Sequence, residues 1–353
     1  MTKKPADKVT QRHAVRPAER GNSKPASTLP PYGYMNDLWM WDVRTRRVPV
    51  GFMVQGRAGT AAEWAELLGE EVNEVAKFLW PRYDVEGGWQ GAAAKHMITL
   101  SEADLDLMAT LRPRLQEQPV VQHKPGDDKK DKPVKATHRA LFELEDESVP
   151  GGQLYPTLDL YLPDPPQWSA EDLIAVKAAI KKMSVDFGPA PLRYKELFQR
   201  PRPYQTAFML GRVFNYEFGR SAVSPALVSG HSMQGLVRHA AAYVAHKRTL
   251  ERSPGAMAGF LQHAVDYGDR RVYAGVHFPS DNIASWFCSL RLCSHIYGYA
   301  GVYAKDFMWQ AIQRSALWAS MKVIADTDQR HVYAHMLQRV AEEANSPPLP
   351  QEA

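Results

Sequence analysis

Cysteine is nearly absent from this chain: Cys288 and Cys293 are the only two in 353 residues. Five positions apart in a helical pattern, they point to different faces, which argues against a disulfide between them and leaves two buried thiols. Long uncharged apolar runs are also missing. The most apolar stretch, Ile283 to Ala304, is interrupted by Arg291 and His295, whereas a membrane span wants about 20 predominantly apolar residues. That stretch therefore reads as a buried helix, and no transmembrane segment is expected. No apolar segment follows the start, so no secretory signal is visible and a cytoplasmic location is the default expectation. No internal repeat is seen. No grouping of His, Asp, Glu or Cys has metal-ligand spacing, so no metal is expected.

The charge balance excludes a strongly basic or acidic body. The net charge is +4, but residues 1–30 hold seven Lys and Arg against Asp7 and Glu19, which is +5 and leaves −1 for the rest. That tail, rich in Pro, Ser, Lys and Arg and poor in large apolar residues, reads as disordered. A solubilising leader is a plainer reading of it than a nucleic-acid or membrane arm, and no nucleic-acid partner is expected. The overall composition, 44% hydrophobic and 23% charged, lies near globular averages.

What is present is mostly helical punctuation. Tyr34 to Val54 reads as a short hairpin. Thr60 and Glu63 form a capping box before a helix stopped by Pro81, and Ser101 opens a second helix that ends before Pro113. Residues 117–138, rich in Gln, Pro, Lys and Asp, read as a linker. Helices are then expected from Ser169 to about Val185 and near 204–218, 230–252, 254–267, 280–304, 306–322 and 326–345. Long helices with short loops predict an all-α bundle. The expected division is a disordered tail over 1–30, a small accessory helical unit over 31–116, the linker, a bundle over 139–345 and a disordered tail over 346–353.

Three short blocks carry chemistry: Lys195 to Arg202-Pro203, Val228-Ser229-Gly230-His231, and Arg270-Arg271 through His277 to Asp281. A transferring phosphoryl group spreads charge over three oxygens, so fixed cations and hydrogen-bond donors do most of the catalysis. Lys195, Arg202 and Arg271 supply cations, the arginines as planar forks and the lysine as a point charge. Ser229 and Gly230 stand where a helix begins, so backbone N–H groups there can face an anion, and Gly230 permits close approach. His277, four residues before Asp281 at a helix start, would have one imidazole nitrogen held by the carboxylate and the other aimed at phosphorus. Taken singly, each feature has an ordinary explanation: a cap, a solvated basic pair, a structural histidine. The joint spacing decides for a site.

The blocks resemble the signature of the type 2 phosphatidic acid phosphatase and vanadium haloperoxidase superfamily, Lys-x6-Arg-Pro, Pro-Ser-Gly-His and Ser-Arg-x5-His-x3-Asp, over about residues 165–305. Val228 stands in place of the usual proline and Arg270 in place of the usual serine. The resemblance implies that His277 is a nucleophile forming a phosphohistidine, that Asp281 orients it, and that His231 is the general acid and then the base. The absence of a membrane span makes the chain similar to the soluble branch, such as bacterial class A acid phosphatases. It implies a small phosphorylated substrate and no cofactor. Two alternatives stay open at this point: a vanadium-dependent haloperoxidase, which would hold vanadate in the same basic pocket, and a non-catalytic anion-binding or scaffold protein.

Overall fold

The computed structural model describes residues 52–54, 57–59, 74–79, 92–122, 135–145, 157–162, 168–187, 190–198, 200–217 and 225–347. The tail over 1–30, the hairpin start at Tyr34, the capping box at Thr60 and the last six residues lie outside them. The fold is all-α, as expected: the helices are α1 (Ala92–Leu115), α2 (His138–Glu145), α3 (Ala170–Phe187), α4 (Ala190–Phe198), α5 (Pro203–Met209), α6 (Gly230–Glu251), α7 (Pro254–Tyr273), α8 (Pro279–Tyr297), α9 (Gly301–Gln313), α10 (Ala316–Thr327) and α11 (Val332–Asn345). Two small antiparallel ribbons accompany them. One pairs Phe52–Val54 with Arg57–Gly59. The other pairs Pro119–Gln122 with Lys135–Thr137, within the stretch read as a linker.

The central element is α6. Every residue from Gly230 to Ala240 is buried, and the helix packs against α3, α7, α8 and α9. The buried segment includes polar residues that need partners of their own, and His239 meets the Gly235 carbonyl and His263. Serine caps set the phase of several helices. Ser229 accepts from the Ser232 N–H, Ser253 from Ala256 and Ser315 from Trp318, and Pro254 and Pro279 occupy first-turn positions where a missing N–H costs nothing.

Two glycines bring α6 and α7 unusually close. A β-carbon on Gly268 would lie 2.6 Å from Ser232, and one on Gly235 would lie 2.4 Å from the Ala264 carbonyl oxygen. The crossing is therefore backbone against backbone. It fixes the start of α6, with Ser229 to Ser232, against the last turns of α7, with Arg270 and Arg271.

Several helix limits differ from the sequence reading. Helix α1 begins at Ala92 and carries Pro113 in its last turn, where a proline forfeits only one intrahelical bond. Ser101 does not open a helix; its hydroxyl accepts from Arg200. Helix α7 continues six residues past 267, to Tyr273. The helix expected over 204–218 stops at Met209, ahead of Gly211 with φ 66. The apolar run from Ile283 is split at Gly298, whose φ of 56 turns the chain into α9. Cys288 and Cys293 are both buried thiols. Among the described residues, no helix is long and apolar enough to cross a membrane.

The N-terminal residues share the core of the bundle. Val75, Phe78, Leu105, Met108 and Leu111 belong to the same buried cluster as Phe287 and Leu290. The Phe78 and Phe287 rings stack at 4.4 Å.

Candidate active site

The third block is organised by the start of α8. Pro279 occupies the first turn and Asp281 the third helical position, so the Asp281 carboxylate turns back and its Oδ2 accepts the Phe278 N–H at 2.8 Å. The same oxygen lies 3.2 Å from His277 Nδ1. On the far side of the ring, Arg202 Nη1 lies 2.8 Å from His277 Nε2 and 2.5 Å from the Val276 carbonyl. A guanidinium only donates, so Nε2 must carry the lone pair and Nδ1 the proton. The tautomer of His277 is thereby fixed by its two neighbours. Burial, then the charges of Arg202, Lys195 and Arg271, hold its pKa well below the ordinary imidazole range.

The first block supplies three buried cations. Lys195 is on α4, and its Nζ donates to the Pro225 carbonyl and to that of Ala226 at 3.4 Å. The ammonium is thus tied to the loop that leads into Ser229. Arg202 caps α5 and is 1% exposed. Arg200 was not among the candidates read from sequence, yet its Nη1 donates to Asp281 Oδ1 and to Ser280 Oγ, each at 2.7 Å. Its planar group lies 4.0 Å over the Phe278 ring. Arg200 and Arg202, two residues apart in an extended segment, hold the His277–Asp281 pair from opposite ends. The signal for Arg200 was its place inside the first block.

The second block lies at the start of α6. Ser229 is the N-cap, and its N–H approaches the Asp281 carbonyl at 3.5 Å, which ties the second block to the third. The N–H groups of Gly230 and His231 come before any carbonyl within the helix could meet them. A β-carbon on Gly230 would meet only Pro191 at 3.6 Å and Lys195 Cε at 4.0 Å. Those are ordinary contacts, so the protein itself does not demand glycine there. His231 packs at 5.1 Å against the Tyr267 ring, and its buried Nε2 meets no partner among the described residues. Burial, then Arg271, His277, Arg238 and Lys195, push its pKa well below the usual range.

Arg271 is fully buried in the last turn of α7. Its Nη2 donates to the Glu145 carbonyl at 3.0 Å and its guanidinium lies 4.6 Å over Phe142, while Nε and Nη1 have no partner among the described residues. Its neighbour Arg270 faces the other way. It forks onto the Glu145 carboxylate, with Nε to Oε2 at 2.7 Å, and donates to the Tyr161 hydroxyl at 2.6 Å. The departure at position 270 is therefore absorbed by a buried ion pair, and Glu145, on α2, holds both arginines. Burial opposes ionisation of Glu145, but Arg270 wins and its pKa is lowered to about 2.

Among the described residues, no group of three His, Cys, Asp or Glu is placed to hold a metal ion. Lys195, Arg202, Ser229, Gly230, His231, Arg271, His277 and Asp281 lie on α4, the α5 cap, the α6 start, the α7 end and the α8 start, all buried. Direct bonds link Arg202 to His277, His277 to Asp281, and Asp281 to Ser229. Each of Lys195, Arg271 and His277 acts electrostatically on His231. Such a cluster of cations and N–H groups with unpartnered donors suits a small, highly charged oxyanion.

No curated protein matches the chain. The PAP2 superfamily includes phosphoester hydrolases that act on small phosphorylated substrates. Residues 174–302, which contain all three blocks, match that superfamily, consistent with the type 2 phosphatidic acid phosphatase and vanadium haloperoxidase group that the blocks resemble.

Proposed function

We propose that this protein is a soluble, metal-independent acid-phosphatase-like enzyme that hydrolyses phosphomonoesters through a phosphohistidine at His277. The observation that carries this reading is the buried, partly unpartnered guanidinium of Arg271 beside the unpartnered Nε2 of His231. Leaving charged donors buried and unsatisfied costs several kcal/mol, on the order of 1–3 for each donor. A bound phosphoester offsets that cost, and it is the anion for which Lys195, Arg202 and the α6 N-terminus are also suited.

The steps follow from the fixed tautomer. Arg202 Nη1 moves from His277 Nε2 onto a phosphoryl oxygen, which frees the lone pair. Nε2 attacks phosphorus as the bond to the ester oxygen breaks, and His231 gives its proton to that leaving oxygen. The positive charge arising on the His277 ring is met by Asp281 at Nδ1. His231 then takes a proton from water, the new oxygen–phosphorus bond forms, and the nitrogen–phosphorus bond breaks to release phosphate. Burial and then nearby cations make His231 a poor proton holder in the free enzyme; the two negative charges of the substrate offset the cations.

The test is turnover of p-nitrophenyl phosphate by purified protein, with vanadate as a competitive inhibitor. Vanadate accepts five ligands and so resembles phosphate at its transition state. Phosphate release blocked by vanadate supports the reading. Halide oxidation with vanadate and hydrogen peroxide, and negligible release from many phosphoesters, would overturn it in favour of a haloperoxidase.

A further inference from the structure

A carboxylate far from the three blocks in sequence is built into the support of His277. Asp104, on α1, is fully buried. Its Oδ1 accepts the Ser280 N–H at 3.1 Å and the Tyr333 hydroxyl at 2.8 Å. Its Oδ2 accepts Arg200 Nη2 at 3.0 Å and the Ser280 hydroxyl. Arg200 thus spans two carboxylates, with Nη2 on Asp104 and Nη1 on Asp281 Oδ1 at 2.7 Å, while Asp281 Oδ2 takes the His277 ring. The chain of contacts runs from Asp104 to Arg200, Asp281 and His277 without a gap. Asp104 also occupies the N-terminal end of α8, where a negative charge offsets the helix dipole and receives a free N–H.

We propose that Asp104 is a positioning residue of the reaction: it takes up part of the Arg200 charge, so that Asp281 keeps enough negative character to orient and polarise His277. The physical reason is competition for one cation. A guanidinium shared between two carboxylates is drawn less strongly to either. With Asp104 neutral, the whole charge of Arg200 falls on Asp281, which becomes a weaker acceptor for the His277 Nδ1–H. Burial resists ionisation of Asp104 and raises its pKa to about 6, against the pull of Arg200 and the bonds from Ser280 and Tyr333. The charged or titratable groups facing it are Arg200 from the loop before α5, Asp281 from α8 and Tyr333 from α11. This inference rests on the phosphohistidine reading for its catalytic consequence, but its structural half is measurable without turnover.

Asp104→Asn keeps the shape and the acceptor for the Ser280 N–H and the Tyr333 hydroxyl, removes the charge, and turns an amide NH₂ instead of an oxygen towards Arg200. Its kcat for p-nitrophenyl phosphate should fall about 10–100-fold, by analogy with the scale on which outer-shell partners of metal-bound imidazoles act. KM and vanadate affinity should hold, because Lys195, Arg202 and Arg271 are untouched. The downfield proton resonance of His277 Nδ1–H should move upfield. Tyr333→Phe, which removes a bond to the same carboxylate but no charge, should leave kcat and that resonance near the wild-type values. Asp104→Ser, which also removes the charge but leaves a hydroxyl towards Ser280 and Tyr333, should reproduce the Asp104→Asn effects and carries the test if that variant does not fold. An unmoved resonance with unchanged kcat, or equal losses in Tyr333→Phe, would refute the positioning role. A wild type with no turnover but with the expected resonance shift in Asp104→Asn would instead sink the hydrolase reading and leave the placement of Asp104 standing.

Discussion

His277 is held from both sides by groups that cannot both be satisfied once it reacts, and this sets what single substitutions should do. Arg202 occupies the lone pair at 2.8 Å and Asp281 the opposite nitrogen at 3.2 Å. His277→Ala should therefore lower turnover by about a thousandfold or more, since it removes the attacking atom, while circular dichroism still shows a folded helical chain. Its melting temperature should fall, because Arg202 Nη1 and Asp281 Oδ2 each lose a buried partner. His231→Ala should cost about 10²–10⁴-fold with alkyl phosphates, whose leaving oxygen needs a proton, and far less with p-nitrophenyl phosphate. Equal small losses for both would contradict the two roles, and parallel assays on the two ester types decide it. Charge neutralisation is assigned to Lys195, Arg202 and Arg271, so prolonged EDTA dialysis should leave activity unchanged. Activity restored only by added Mg²⁺ or Zn²⁺ would count against that assignment. Most of these residues were legible because the chemistry demands particular residue types at close spacing. Arg200 was less so, because a buried arginine that grips a carboxylate and one that grips substrate look alike in sequence. Asp104 was not legible at all: its distance from Arg200 along the chain hides a contact of 3.0 Å.

At the level of helices, the sites on α6 and α7 meet because Gly235 and Gly268 let the two backbones touch. The helix expected from sequence over 254–267 ends just before Gly268. The buried helix runs through it to Tyr273 and carries both arginines in its last turn. The lesson is physical: a glycine costs a helix about 1 kcal/mol, and a close crossing readily offsets that loss through packing. Apolar periodicity made α6, α8 and the bundle class readable, since it depends only on local sequence. The break at Gly298 and the stop at Met209 depend on local turns that periodicity does not encode. Gly268→Ala should be destabilising by about 1–3 kcal/mol through overpacking, because its methyl group would lie 2.6 Å from Ser232. It should also lower kcat, by moving Arg271 away from His231. Thermal melting with kinetics on the same preparation tests it, and an unaltered melting temperature would show that the crossing is looser than described.

Across the whole molecule, helix α1 and the buried histidines bear on stability. Arg112 of α1 donates to the Tyr273 carbonyl at 2.7 Å and to that of Ala274 at 3.3 Å, at the end of α7, and Asp104 supports α8. A chain beginning at Arg139 loses both and should lose turnover along with much of its stability, although it retains every one of the three blocks. Wild-type turnover from such a chain would show that α1 is dispensable. The pH dependence follows from groups that stay buried. His138, His231, His239, His263 and His277 all have pKa values lowered first by burial, to about 4 for His138. In the unfolded chain they take up protons near pH 6.5. Between that value and their folded values the unfolded state binds more protons, so their contribution is complete above about pH 6.5 and is lost as pH falls. Asp104 and Asp269 act in the opposite sense: their pKa values are raised to about 6 and about 7, so they favour the folded state at low pH and oppose it as pH rises through those values. Five groups outweigh two below pH 6, and the melting temperature should fall on acidification from about pH 6 to 4.5. Inorganic phosphate, by pairing with Arg271 and raising the proton affinity of His231 and His277, should reduce that fall. Melting curves with and without phosphate across this range check both statements, and a melting temperature that rises towards pH 4.5 would mean that the buried carboxylates, not the histidines, dominate the balance.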